Sequence, residues 1–222
     1  MEIEALLQDM AGMMVHGYSD RINHALAFAA KHNDRQVRKG TRLPYGTHGA
    51  NIAVILTRYG QDESTIVAGI LHDVVEDCIR ERYTRDMLEQ RIGDKFGPEA
   101  LGKATAAAER ILDDDGVELS HQERKDDYLT RLAQAPDGAR WVAAAEAIHN
   151  ASTILADLKR TIDPDSVWGR FHWGKDGTIR WYRRLYERLR DQGFEAPIMH
   201  ELGQVVEALE RQSEIHTSTS RI

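Results

Sequence analysis

One stretch of this chain places ionisable side chains where an apolar helix has little use for them. In Thr65-Ile66-Val67-Ala68-Gly69-Ile70-Leu71-His72-Asp73-Val74-Val75-Glu76-Asp77, a nearly all-apolar run takes on one imidazole and three carboxylates in its last six residues. Side chains three and four positions apart on a helix are neighbours, so His72 with Glu76, Asp73 with Asp77, and Asp73 with Glu76 gather over about a turn and a half. Carboxylates this close to one another and to apolar neighbours repel and lose hydration, which raises their proton affinity unless a cation lies among them. A divalent metal relieves that conflict. So does a helix end that simply reaches water.

A second helical segment favours the interior reading. In Trp141 to Leu155 the polar residues Glu146, His149, Asn150 and Thr153 recur at i, i+3, i+4 and i+7 along an otherwise apolar, alanine-rich run. A surface helix shows a broad charged face, whereas one thin polar line points to a cavity where polar groups pair with each other or hold a ligand. His149 by itself reads more readily as a hydrogen-bonded core histidine than as a ligand. A third element is the turn-rich Gly40-Thr41-Arg42-Leu43-Pro44-Tyr45-Gly46-Thr47-His48, in which Pro44 fixes φ and Thr47 is placed to cap the helix that follows. His48 then falls on the first turn, where an imidazole tends to stay neutral and keeps a lone pair for a metal. Just before it, Arg35, Arg38, Lys39 and Arg42 form a local cationic patch, suited to a small polyanion or else a solvated basic loop.

The elements that must position these residues read as helices throughout. Segments 2–15, 20–32, 48–59, 62–78, 84–92, 97–112, 121–134, 138–160, 177–192 and 198–212 carry Leu, Ile, Val or Ala at three- and four-residue spacing, and few segments alternate with a period of two. Asp20 and Asp62 read as N-caps, Gly60 and Gly93 follow helical patterns, and Pro98, Pro136 and Pro164 stand near starts or breaks. The predicted fold is an all-α, single-domain helical bundle with short loops. Its divisions are an N-terminal helical extension over 1–19, a core over 20–160, C-terminal helices and a loop covering the site over 161–211, and a flexible tail over 212–222. Trp168 and Trp173 lie within the loop from Pro164 to Gly177 and Trp181 beside it, as a pocket rim or a satellite apolar cluster.

Composition removes several classes of function. With 222 residues and 41% hydrophobic content the chain can bury a real core. Cys78 is its only cysteine, so a disulfide framework and a cysteine-built zinc cage are both ruled out. The net charge of −7 argues against non-specific binding to nucleic acid or to an anionic membrane. No stretch approaches the roughly 18 apolar residues that span a bilayer, and Met1-Glu2-Ile3-Glu4 lacks the basic start of a signal peptide. The expectation is a soluble, cytoplasmic protein acting on a small molecule; its oligomeric state is not legible.

Taken in order, Ala27-Phe28-Ala29-Ala30-Lys31-His32, Gln36-Val37-Arg38-Lys39-Gly40, Pro44-Tyr45-Gly46-Thr47-His48, Leu71-His72-Asp73-Val74-Val75-Glu76-Asp77 and Ile148-His149-Asn150 carry a resemblance. Over about residues 20–160 the chain resembles the HD superfamily of metal-dependent phosphohydrolases. More narrowly, it is similar to the guanosine tetraphosphate and pentaphosphate hydrolases, both the hydrolase domain of RelA/SpoT enzymes and the small alarmone hydrolases. The resemblance implies His48, His72, Asp73 and Glu146 as metal ligands, with Glu146 standing where the family has Asp in an Ala-Asp-x-Leu-His-Asn motif. It implies manganese, and two imidazoles with two carboxylates suit Mn²⁺ while also admitting Fe²⁺ or Zn²⁺. It implies Glu76 and Asp77 as the catalytic groups that orient water and take its proton. Arg38 and Lys39 would flank guanine and ribose, Asn150 and Thr153 would bond the nucleotide, and Arg124 and Lys125 would reach the phosphates. The reaction so implied releases pyrophosphate from the 3′ position and leaves GDP or GTP. Two other readings stand beside it. One is an HD hydrolase of another nucleotide, such as an adenine alarmone, NADPH or a deoxynucleotide. The other is a catalytically weakened module that binds an alarmone, which the Glu146 substitution brings to mind.

Overall fold

Burial of the apolar run before His72 organises the molecule. In the computed structural model, which describes residues 18–76 and 84–219, every residue from Ser64 to Val75 is buried. This helix needs cover on all sides, and four others supply it. Among the described residues the chain forms nine helices and no strand longer than a single bridge. They are α1 (Asp20–His32), α2 (Thr47–Arg58), α3 (Glu63–Glu76), α4 (Arg85–Ala107), α5 (His121–Ala133), α6 (Asp137–Arg160), α7 (Pro164–Trp168), α8 (Gly174–Asp191) and α9 (Ile198–Thr219). The all-α expectation holds. Helix α3 packs against α1, α2, α4 and α6, while α9 covers the far side of α6 and leans on α8. The expected helix over 2–15, Asp77 and Cys78 lie outside the described residues.

Several helix ends differ from the sequence reading for local reasons. Ser19, not Asp20, caps α1, its hydroxyl accepting from the Ile22 amide at 3.1 Å; Asp20 stands in the first turn, where its charge faces the positive end of the helix. Gly46 precedes α2 without a side-chain cap, because the Thr47 hydroxyl donates instead to the Pro44 carbonyl at 2.8 Å. Asp62 does cap α3: its carboxylate accepts from the Thr65 amide at 2.8 Å and the Ser64 hydroxyl at 2.6 Å, and the buried Lys103 ammonium lies 3.1 Å away. The two helices expected over 84–92 and 97–112 are one kinked element, α4. Its break falls at Gly97, with φ 79°, and not at Gly93, because Pro98 disfavours helical backbone in the residue before it and glycine alone takes this φ freely. Arg21 donates to the Phe96 carbonyl at the kink.

Helix α6 can lie among its neighbours because six of its buried residues, Ala139, Ala143, Ala144, Ala145, Ala147 and Ala151, are alanines, with only Val142, Ile148 and Ile154 larger. The segment after it is more ordered than a loop. Trp168 is buried on α7, and α8 begins at Gly174, three residues before its predicted start.

Candidate metal centre and the cavities beside it

Three helices deliver four donor groups to one interior point. His48 comes from the first turn of α2, His72 and Asp73 from the second half of α3, and Glu146 from the middle of α6. His48 Nε2 lies 3.4 Å from Asp73 Oδ2, and His72 Nε2 lies 3.2 Å from Asp73 Oδ1 and 3.8 Å from Glu146 Oε2. Ligand atoms of His48, His72 and Glu146 all fall within 4.8 Å of one another. The expectation that these four converge is met in space.

Hydrogen bonds to the outer ring nitrogens set which way the lone pairs point. His72 Nδ1 lies 2.8 Å from the Gly69 carbonyl oxygen, which can only accept, so Nδ1 carries the proton. Its Nε2 is buried with no hydrogen-bond partner and faces two carboxylates. An acceptor aimed at acceptors is stable only with a cation between them, whether a proton or a metal. A divalent ion fits this donor set of two imidazoles and two carboxylates. His48 Nδ1 lies 2.8 Å from His149 Nδ1, so one of the two rings donates; His149, read from the sequence as a hydrogen-bonded core histidine, braces the His48 ring in this way.

The electrostatics agree. Burial pushes His48 down to about 3 against the pull of Asp73, and burial with the nearby Arg38 lowers His149 to about 4. Both rings are neutral, as the sequence suggested for His48, with burial the largest cause. Burial works against protonated His72, yet Asp73 and Glu146 outweigh it and lift it to about 10. Burial raises Glu146 to about 7, and burial followed by Glu109, Asp73 and Glu146 raises Glu76 well above the ordinary carboxylate range. Burial opposes ionised Asp73, but His72 and His48 win and hold its carboxyl low.

Glu146 is steered from behind. Asn150 donates from Nδ2 to Glu146 Oε1 at 3.3 Å and accepts at Oδ1 from Arg38 Nη2 at 2.7 Å. Arg38 and Asn150, read from the sequence as nucleotide contacts, are thus joined in a chain of hydrogen bonds that ends on the Glu146 carboxylate. The hairpin that holds Arg38 and Lys39 is pinned by Arg38 N to Leu43 O at 3.0 Å and by Tyr45 N to Gln36 O at 3.0 Å. Gly40 turns there with φ 71°, and the Arg170 side chain occupies the space a Cβ would need.

Two cavities flank the centre. The larger, about 500 Å³, is lined among others by Arg38, Lys39, Tyr45, Thr153, Arg160 and Arg170. The smaller, about 260 Å³, is lined among others by Glu109, Lys125, Tyr128, Glu146, Trp173 and Trp181. Lys39, Asn150, Phe171 and Tyr182 belong to both, so they form the partition. Lys125 reaches the smaller cavity, where it pairs with Glu109 and lies 4.2 Å above the Trp181 ring. Arg124 is not brought to either cavity: it donates to the Leu119 carbonyl at 3.1 Å and to Glu118 Oε1 at 3.1 Å, tying down the loop before α5. Thr153 lines the larger cavity but donates its hydroxyl to the Asn150 carbonyl at 2.7 Å. Sequence reading missed Glu109, Tyr128 and Tyr182, which stand on no polar stripe of the two helices first singled out. Of the aromatic segment, Trp173 and Trp181 form a rim, and Trp168 belongs to the core.

An all-helical core with a His, a His-Asp pair and a distant carboxylate around one interior point defines an HD-type domain. This chain belongs to the HD domain family, whose sequence pattern matches residues 25–154. It is 28% identical to the guanosine-3′,5′-bis(diphosphate) 3′-pyrophosphohydrolase of Aquifex aeolicus over 84% of this chain but only 28% of that protein's length. It is 26% identical to the Drosophila melanogaster guanosine-3′,5′-bis(diphosphate) 3′-pyrophosphohydrolase MESH1, over 78% of this chain and 86% of that one. The solved structure of a metazoan SpoT orthologue, described as hydrolysing ppGpp, superposes with a TM-score of 0.66 at 24% identity, covering 86% of this chain and 96% of the other, and so shares its fold.

Proposed function

We propose that this protein is a divalent-metal-dependent 3′-pyrophosphohydrolase of guanosine tetraphosphate and pentaphosphate, with Mn²⁺ as its metal and GDP or GTP plus pyrophosphate as products. The observation that carries the reading is the buried, unpartnered Nε2 of His72 aimed at Asp73 and Glu146 beside His48. A module that had lost its metal would gain by pairing or replacing that nitrogen. The named activity of the Aquifex and Drosophila relatives supports the choice of substrate.

In this reading His48, His72, Asp73 and Glu146 hold the ion. When bound, it supplies positive charge that offsets charge on the phosphoryl oxygens and increases the acidity of the attacking water. Glu76, acting in its ionised form and with a proton affinity raised by burial and the neighbouring carboxylates, accepts one proton from that water as the water oxygen bonds to phosphorus. The bond from phosphorus to O3′ breaks, and O3′ leaves with a proton. Asp77 shares the orientation of the water. Arg38 and Lys39 hold the nucleotide from the hairpin, Asn150 and Thr153 from α6, and Lys125 meets the phosphates. Residues 20–160 then carry the chemistry and 161–211 roof it, placing Arg170 across the basic hairpin and Trp173 and Trp181 at the cavity mouth. No helix of the described residues is long and apolar enough to cross a membrane, which agrees with work on a cytoplasmic nucleotide.

The test is purified protein with Mn²⁺ and a panel of guanosine tetraphosphate, adenine alarmones, NADPH and deoxynucleoside triphosphates, with products separated by chromatography. GDP and pyrophosphate from guanosine tetraphosphate are expected. Turnover of another nucleotide alone, or binding without turnover, overturns the assignment.

A further inference from the structure

The smaller cavity contains a buried polar group that none of these steps uses. Tyr128 lies on α5 one turn after Lys125 and is only 2% exposed. Its ring packs near Trp181, 6.0 Å between centroids, and the residue lines the cavity. Its hydroxyl is buried with no hydrogen-bond partner among the described residues. Leaving a buried hydroxyl unpaired costs free energy that phenylalanine would avoid at the same packing. The chain therefore retains an oxygen whose bond is made to something that enters the cavity.

The surroundings say what kind of acceptor that is. Burial, then Glu146, Glu109 and Glu76, drive the phenol well above its ordinary pKa, so it stays protonated and can donate. Lys39 and Lys125 line the same cavity and draw an anion into it, and Glu146 places the proposed metal at its wall. Ligand atoms of Glu76 and Glu109 do not join the His48, His72 and Glu146 group, so among the described residues these carboxylates build no second ion site there. A phosphate oxygen is the acceptor that satisfies both the lysines and the phenol.

We propose that Tyr128 is a substrate-contacting residue whose hydroxyl donates a hydrogen bond to a phosphate oxygen of the pyrophosphoryl group held in the smaller cavity between Lys39 and Lys125. This rests on the phosphohydrolase reading above and extends it to a residue on a third wall of the site. A donor to a charged oxygen makes the stronger class of hydrogen bond, so its loss is measurable.

Tyr128→Phe tests this in the full-length, Mn²⁺-loaded protein through thermal unfolding without nucleotide, calorimetric binding of inorganic pyrophosphate, and turnover of guanosine tetraphosphate. The variant is expected to unfold at the same temperature as the wild type or higher, keep its metal, and lose about 10-fold or more in both pyrophosphate affinity and kcat/KM. Unchanged pyrophosphate affinity overturns the contact, and does so most plainly if the unfolding temperature falls, because the hydroxyl is then structural. Wild-type protein that binds pyrophosphate but leaves guanosine tetraphosphate intact sinks only the choice of nucleotide, and the pyrophosphate arm still decides Tyr128. Wild-type protein that binds no pyrophosphate overturns the Tyr128 proposal outright.

Discussion

His72 and Glu76 stand one turn apart on α3 and are asked for different work. The first has its Nδ1 tied to the Gly69 carbonyl and its Nε2 left for a cation; the second is the half-buried carboxylate that accepts from the Glu109 amide at 3.3 Å. Replacing each should separate metal binding from proton transfer. His72→Ala is expected to lose bound metal and hydrolysis together, as read by elemental analysis alongside product release. Glu76→Ala is expected to keep its metal while turnover drops about 10²-fold or more, the usual scale for removing a general base. Wild-type turnover in the Glu76 variant would remove it from the mechanism. Under the proposed assignment Glu146 replaces a shorter ligand, and the hydrogen bonds from Arg38 to Asn150 and from Asn150 to Glu146 are what would hold the longer carboxylate in place.

At the scale of elements, the crossing of α2 and α3 decides whether His48 meets His72 and Asp73. The two helices approach closely because each presents a glycine to the other. A Cβ at Gly49 would stand 3.0 Å from the Ile70 carbonyl oxygen, and one at Gly69 would stand 2.6 Å from Leu56 Cδ1 and 2.8 Å from Ile52 Cγ2. Gly49→Ala meets backbone, which cannot rotate away, so the helices must part by a few tenths of an ångström. The expected cost is about 1–3 kcal/mol in urea denaturation, together with weaker Mn²⁺ binding, since a site needs its donors held closely in place. Gly102→Ala, where nothing lies within 4 Å, is the matched control and should leave metal affinity alone. If Gly49→Ala binds Mn²⁺ as tightly as wild type while losing stability, helix spacing is not what sets the centre.

For the molecule as a whole, the centre joins α2, α3 and α6, so an ion there ties together the helices that make the core. Binding to the folded state alone adds about 2.7 kcal/mol of stability when free ion is at 100 times its Kd. In a chain of this size each kcal/mol moves the midpoint by roughly 2–4 °C, so chelation should lower Tm by about 5–10 °C and added Mn²⁺ should restore it. The His72→Ala protein should show no such response. A wild-type Tm indifferent to chelator would mean that the four donors hold no ion in solution.

The chemistry-bearing helices were legible because their signals are local. A run buried on every side is apolar all round, so His72, Asp73 and Glu76 stand out of it, and the i, i+3, i+4, i+7 line of Glu146, His149, Asn150 and Thr153 survives in one dimension because a helix repeats every 3.6 residues. The same logic placed the N-cap at Asp62. It ended a helix at Gly93, short of the kink at Gly97, because a glycine inside a helix and one that turns look alike in one dimension, while Pro98 did mark the break. Tyr128, Glu109 and Tyr182 left no mark, since each is ordinary in its own segment and gains meaning only from what faces it across the cavity. Sequence by itself determined the helical class, the residue types able to bind a cation and the family. Tertiary structure alone decided that Arg38 steers Glu146 through Asn150, that Arg124 serves its own loop, and that a phenol waits unpaired beside the centre, because these depend on distances between helices that no periodicity along the chain encodes.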